Sequence, residues 1–412
     1  MSELPLDLHS REFLEDPAPT LAWLREHDPV HRSQYGYWLL TRYDDVAAAF
    51  RDPRLSSEWT KKGSLPGMPA RPNTGNPGAD DAFARAQQIV LHSFNMKDPP
   101  AHTRIRQLVQ QAFTRAAVDE QRGRITELVD ALIDAGIANG AMDVVTELAF
   151  PLTITIASEM LGIPVEGRNL FRASFESTER LGDPTATAEQ RQRGRDALVW
   201  QLGFIADVVA ERRRLPKDDL VSALVQAEAE GERLTHDEIL AALLTLYTAG
   251  GTTTERMISS GILLLLQHPE QLALLQAEPS LLGGAVAEML RFHHPNQQTS
   301  TARLALETFE LRGKVIEAGQ TVRLGTGAAN RDPSRWADPD TFDITRGELV
   351  SLSFGQGIHY CIGAPLARLQ TQIAIGRLLE RCPAIELTGG DVRHDPRRMD
   401  RYERITVAVA GG

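Results

Sequence analysis

Residues 354 to 363 read Phe354-Gly355-Gln356-Gly357-Ile358-His359-Tyr360-Cys361-Ile362-Gly363, one cysteine set in a glycine-rich turn. Ala364-Pro365-Leu366-Ala367-Arg368-Leu369 follows with a helical pattern, and Pro365 suits a first turn. Glycine lets the backbone turn sharply, approach a planar group and aim N–H groups at the sulfur. The spacing predicts Cys361 at a helix N-terminus, where the dipole favours thiolate over thiol. Such a thiolate can hold the iron of a flat cofactor, and on haem it pushes electron density that favours O–O cleavage. A bare GxGxxxC pattern would suit a buried cysteine beside a turn equally well. The whole stretch is the more specific signal.

Composition narrows the class. The chain has 412 residues, 42% hydrophobic and 24% charged, ordinary values for a soluble globular protein. Its net charge of −11 argues against a nucleic-acid partner. Met1 to Val30 is too charged and too rich in proline for a signal peptide or membrane anchor. The longest purely apolar run is Ile262 to Leu266, too short to span a bilayer. Two cysteines, Cys361 and Cys382, give no disulfide framework. The expectation is a cytoplasmic protein without membrane contact.

Helical periodicity dominates, at 19–26, 43–50, 100–112, 117–138, 145–161, 187–213, 218–228, 235–267, 278–292 and 361–381. Short strand-like pieces at 37–40, 308–311, 321–324 and 405–408 predict a small β-rich region. Residues 56–97, rich in proline and glycine around Pro66 to Gly78, read as a long loop, either a substrate entrance or disorder. Thr235-His236-Asp237-Glu238 is a capping-box pattern. The helix it opens is about 33 residues, roughly 50 Å, long. Its middle, Ala249-Gly250-Gly251-Thr252-Thr253-Thr254, is full of poor helix formers, each glycine costing about 1 kcal/mol against alanine. Function asks for such breaches of local rules, and close helix packing also explains glycines. Asp98-Pro99-Pro100 reads as the N-cap of a helix that carries His102 and Arg106 on one face. Two adjacent donors suit an anion, although such a pair is commonly just a solvated face.

Phe354, Gly355, Gly357, His359, Cys361 and Gly363, with Leu366-Ala367-Arg368 after them, resemble the haem-binding loop of the cytochrome P450 monooxygenases. The resemblance implies a mainly α fold, one large helical haem domain over 1–412 with a small β-rich region and no fused reductase. It implies haem b with Cys361 as axial ligand, framed by Phe354, Gly355 and Gly363, and a propionate contact from His359. His102 and Arg106 match the family's HxxxR helix that grips a propionate, and Arg303 is a further propionate candidate. Glu288-Met289-Leu290-Arg291 is similar to the family's structural ExxR pair. Ala249, Gly250, Gly251, Thr252 and Thr253 look like the oxygen-binding groove, with Thr253 on the family's threonine position. Thr252 stands where the family carries an acid, a real departure. Glu255 does not replace it, since it lies 200° around the helix from Thr253.

The reading is a haem-thiolate monooxygenase that draws electrons from a ferredoxin and its ferredoxin reductase and oxidises an organic small molecule. Arg104, Arg115, Arg368 and Arg377 are expected as a basic docking patch or as scattered solvated residues. Thr252 keeps alive a peroxide-driven or non-hydroxylating enzyme of coupling or rearrangement, with a non-catalytic haem protein as the remoter alternative. Thr248 and Asn296 to Thr299 are polar for an apolar pocket wall. They point to a substrate with hydroxyl or amide groups, or to side chains that satisfy local backbone.

Overall fold

All four side chains of Tyr37-Trp38-Leu39-Leu40 are buried. A strand sends successive side chains to opposite faces, and both faces are covered here. Trp38 and Leu40 join an apolar cluster with Val46, Phe50, Val322 and Leu324. Tyr37 and Leu39 join another with Leu8, Phe13 and Leu24.

The structure is a computed structural model that describes residues 6–62, 72–164, 168–183, 185–229, 234–293, 301–347, 350–395 and 398–412. Its helices are α1 Arg11–Glu15, α2 Pro17–His27, α3 Tyr43–Ala49, α4 Pro77–Val90, α5 Ala101–Val109, α6 Arg115–Asn139, α7 Phe150–Leu161, α8 Arg168–Thr178, α9 Ala188–Arg214, α10 Leu220–Ala229, α11 His236–Gln267, α12 Pro269–Ala277, α13 Leu282–Phe292, α14 Thr326–Ala329 and α15 Ala364–Arg381. The strands are β1 Val30–Arg32, β2 Tyr37–Leu40, β3 Leu55–Ser56, β4 Ala141–Asp143, β5 Thr301–Ala305, β6 Phe309–Leu311, β7 Lys314–Ile316, β8 Thr321–Leu324, β9 Glu386–Asp395 and β10 Arg398–Ala408. The expected mainly helical fold with a minor β part is what the structure shows.

The chain divides into two compact units, one of residues 1–55, 115–153 and 251–412, the other of 56–114 and 154–250. In the first, a sheet of order β1-β2-β8-β5-β3 sets Tyr37 beside Thr321 in parallel and Arg303 opposite Val322. Helix α15 lies along α6, where Arg377 grips Asp130 at 2.8 and 3.0 Å. In the second unit, Phe171, Phe175, Trp200, Phe204 and Tyr247 form a ring cluster with centroids 4.6 to 6.3 Å apart. It joins α8, α9 and the first half of α11.

Three expectations are corrected. Much of the proposed loop 56–97 is helix α4, whose buried Phe83, Ala86 and Ile89 share one face. Pro77 stands at its start, where proline is tolerated, and the Asn76 side chain accepts from the Ala79 N–H. Asp98 does not cap α5; Pro100 is the cap residue and the Asp98 carboxylate turns to other partners. Cys361 lies just outside α15, which starts at Ala364 with Gly363 as its cap residue. One segment, Val144–Leu161, is apolar enough for a membrane span, but 72% of it is buried inside the fold, as a core helix would be.

Candidate functional site

The cysteine loop is tied by its own backbone. The Gly355 N–H donates to the Leu352 carbonyl at 2.9 Å, and the Cys361 N–H to that of Phe354 at 2.9 Å. Gly355 and Gly357 adopt φ +69° and +71°, a region closed to most L-residues. Contact imposes the same residue type: a Cβ on Gly355 would lie 3.2 Å from Phe50 Cε1, and one on Gly357 would lie 3.0 Å from the Phe50 carbonyl oxygen. A Cβ on Gly363 would meet no protein atom within 4 Å. Cys361 is half-buried, as are Phe354, Gly355, His359 and Gly363. Neither cysteine is in a disulfide.

Phe50 is also the partner of a propionate candidate. The Arg303 guanidinium, buried on β5, stacks 5.9 Å from its ring. Phe50 thus links Arg303 to the loop, a role no sequence motif announced.

Glu288 and Arg291 stand behind the loop, both fully buried on α13 and joined by two bonds of 2.7 Å. Arg291 donates further to the carbonyls of Asn330, Pro339 and Thr341. Glu288 accepts from the Asp343 N–H at 3.0 Å and from Arg346 at 3.2 Å. Asn330 passes the connection on, bonding Ser353 at 2.8 Å and the Leu352 N–H at 2.8 Å. The expected structural role of ExxR is realised: the pair anchors the segment that enters the loop.

Helix α11 runs unbroken through Ala249 to Thr254. From Glu238 to Leu265, only Thr245, Thr248, Ala249, Gly250, Thr252 and Thr253 escape burial. At 100° per residue all but Gly250 fall within about 140° of each other, an open stripe on a buried helix. Gly251 is buried instead, and its carbonyl accepts the Thr153 hydroxyl at 2.8 Å. Gly250 packs on α7, with Ala157 Cβ 3.4 Å from where its own Cβ would be. That distance is an ordinary contact, so packing does not demand glycine at 250, and the threonines mark an open face. Glu255 is buried, away from Thr253.

In the second unit His102 is buried on α5, with Arg106 one turn on. Burial and then the Arg106 charge, opposed by Asp98, push the His102 pKa down to about 4. The ring is therefore neutral at physiological pH. Arg104 holds α5 to the start of α11 through Glu238, at 2.5 and 3.2 Å. The Asp98 carboxylate accepts from the Ser57 N–H at 3.1 Å, Lys61 at 2.8 Å and the Ser56 hydroxyl. Burial would raise its pKa, but these partners together hold it below the usual value.

The four arginines expected as a docking patch or as scattered residues each have a partner. Arg104 pairs with Glu238, Arg377 with Asp130 and Glu380, and Arg115 lies 3.8 Å from Asp119. Arg368 stacks over Phe354 at 5.3 Å. Beside the loop is a cleft of about 480 Å³ lined by Arg51, Phe354, Gln356, Tyr360, Arg368 and Gln372 among others. Val350, Ile358 and Tyr360 are 67%, 50% and 42% exposed, a high share for apolar side chains. Asn296 to Thr299 lie outside the described residues.

Comparison with known proteins agrees with this geometry. The family model described as Cytochrome P450 matches residues 190–399. Cytochrome P450 monooxygenase PikC of Streptomyces venezuelae is 38% identical over 407 residues, covering 97% of this chain and 92% of that protein. The 6-deoxyerythronolide B hydroxylase of Saccharopolyspora erythraea is 38% identical over 395 residues, covering 94% and 93%. The solved structure of P450BioI, in complex with an acyl carrier protein ligated to hexadec-9Z-enoic acid, superposes with a TM-score of 0.86 at 33% identity, covering 97% and 99%.

Proposed function

Because this chain belongs to the cytochrome P450 family, we propose that Cys361 gives the axial thiolate to a haem b and that His102, Arg106, Arg303 and His359 bind its propionates. The protein is a haem-thiolate monooxygenase, an oxidoreductase that inserts one oxygen atom from dioxygen into an organic small molecule. When bound, the haem supplies the oxygen-activating chemistry, and a cysteine ligand favours it. The donor set fits the group: one soft thiolate for iron, and a neutral imidazole with guanidinium groups for carboxylates.

The observation that carries this reading is the loop. Phe50 forces glycine at 355 and 357, while the Cβ position of Gly363 is left without a protein neighbour. Exchanging Cys361 for His tests it, with retention of the fold checked by circular dichroism. The wild-type ferrous–CO complex should show the red-shifted Soret band of a thiolate ligand, and the variant should lose that band and its turnover. An unshifted wild-type band would defeat the assignment.

Residues 1–412 act as one haem domain in the cytoplasm and take electrons from a ferredoxin and its reductase. The exposed apolar side chains Val350, Ile358 and Tyr360, with Arg51 and Arg368 beside them, support docking at the cysteine loop. Thr252 and Thr253 hand on protons from the open face of α11, where Ala249 keeps side-chain bulk low, while Gly250 lies to its side against Ala157 and Gly251 is fixed by Thr153. The relative that hydroxylates 6-deoxyerythronolide B supports an oxygen-bearing, polyketide-like substrate from secondary metabolism.

Thr252 in place of an acid favours one second reading, turnover driven by peroxide. Product formation with hydrogen peroxide against a ferredoxin system separates the two.

A further inference from the structure

Three arginines set into the first unit stand near acids. Arg291 pairs with Glu288 and Arg331 with Asp340, while Asp332 and Asp340 act on Arg25. Arg323, half-buried on β8, differs: among the described residues it meets no carboxylate and no hydrogen-bond acceptor. Its Nε is shut off from solvent. Burial lowers its pKa, and the Tyr37 ring, 4.4 Å away, is the one group that opposes the shift. Taking a charge out of water without a partner is costly. Natural chains break such rules mainly where function asks for it.

The surroundings of Arg323 are built for a ligand. It stands beside Leu39 in the parallel pairing and opposite Ala302 in the antiparallel one. Paired residues share a face and successive ones alternate, so Arg323 lies on the face of Tyr37 and Leu39, which pack with Leu8, Phe13 and Leu24. Arg303 and its partner Val322 take the other face, with Phe50. Arg323 is therefore set apart from the propionate candidate. The Tyr37 hydroxyl lies 3.3 Å from His9 Nε2, and the His9 ring packs edge-on against Tyr35 at 4.5 Å, so the platform under the guanidinium is held. With Nε shut away, the two Nη groups are its accessible edge. We infer that Arg323, seated on Tyr37, forms a second ligand site for the carboxylate of an organic acid with an apolar tail. The Arg fork gives a carboxylate two parallel bonds, and Leu39 and Ala302 offer the tail an apolar wall. A phosphate dianion would want more donors than one guanidinium supplies. The site does not depend on the haem assignment.

Equilibrium dialysis with octanoate, octanamide and inorganic phosphate tests this on the haem-loaded protein, with and without 4-phenylimidazole to occupy the iron. The wild type should bind octanoate more tightly than octanamide or phosphate, and 4-phenylimidazole should leave octanoate binding in place. Arg323→Gln should weaken octanoate about tenfold, the worth of a charged hydrogen bond, and leave octanamide unchanged. Arg323→Lys, which keeps the charge and loses the fork, should fall between. Loss of octanoate binding in the presence of 4-phenylimidazole would place the acid in the haem pocket and overturn the inference. Phosphate bound as tightly as octanoate, or equal losses of octanoate and octanamide in Arg323→Gln, would overturn it too. Ligand-free Arg323→Met should unfold at a urea concentration no lower than the wild type, since no acid loses its partner. A variant that unfolds earlier yet binds octanoate as before would make Arg323 a structural residue and reject the site.

Discussion

Around Glu288 and Arg291, two opposite charges are enclosed by three carbonyls, one N–H and the Arg346 guanidinium, all within 3.3 Å. In the middle of α11, four threonines stand on a stripe that escapes the burial of the rest of the helix. The first region is over-determined, so that any one change leaves a buried group unmatched. The second is permissive: its side chains are small and only half-buried. The contrast teaches where selection has room. On the proposed reading, the support of the cysteine loop is rigid because a metal ligand must not move, whereas a helix face that met substrate and protons would tolerate departures such as Thr252.

Removing Arg291 should break the rigid side most. Arg291→Ala leaves Glu288 buried with only Arg346 and the Asp343 N–H beside it, and losing one partner of a buried pair costs about 3–5 kcal/mol. The measured outcome should be loss of folded, haem-loaded protein by ferrous–CO spectrum and denaturation. Replacing both members by apolar residues should cost less than Arg291→Ala, though the carbonyls of Asn330, Pro339 and Thr341 stay unmet in either case.

Proton linkage at His102 is the next largest effect. Its pKa is about 4 folded, against 6.5 as the ordinary value. Above pH 6.5 both states are neutral and His102 contributes no pH slope. Between pH 6.5 and 4 the unfolded chain binds the proton first, so stability falls by at most about 3 kcal/mol as the pH drops. Urea titrations of haem-depleted protein at several pH values should show that slope, and His102→Phe should flatten it. An unchanged slope in the variant would place the titration elsewhere.

How far the molecule could be read from its sequence depends on how local each cause is. The cysteine loop, the ExxR pair and α11 were legible because each needs particular residue types at fixed spacing; periodicity showed that helices dominate, and the fold class followed from the family resemblance of the motifs. Helix α4 was not, since Pro77 and Gly78 at its start look like a breaker until Asn76 is seen to cap it. The partners of Asp98 escaped too, because Ser56, Ser57 and Lys61 lie some forty positions away in the chain. Phe50 and Thr153 carry no motif; their contacts with Gly355 and Gly251 exist only in the folded chain.

A smaller effect probes the border of the rigid side. Gly355→Ala puts a Cβ at φ +69° and 3.2 Å from the Phe50 ring, for a cost of about 1–3 kcal/mol. Adding Phe50→Leu should return the part due to contact and leave the part due to backbone conformation. A double-mutant cycle in urea reads the difference, and zero coupling would show that Phe50 does not press on the loop.

The smallest change expected in stability, and the sharpest test of the permissive side, is Thr252→Glu. Position 252 is half-buried on the open stripe, so a carboxylate there keeps water and costs little folding free energy. If the missing acid limits proton delivery, product formed per reductant consumed should rise several-fold, while peroxide-driven product does not rise, because peroxide brings its own protons. A ratio that stays flat or falls would mean that the hydroxyls of Thr252 and Thr253 already deliver protons well enough. The permissive face would then be complete as it stands, and its departure from the family pattern would reflect the substrate it holds.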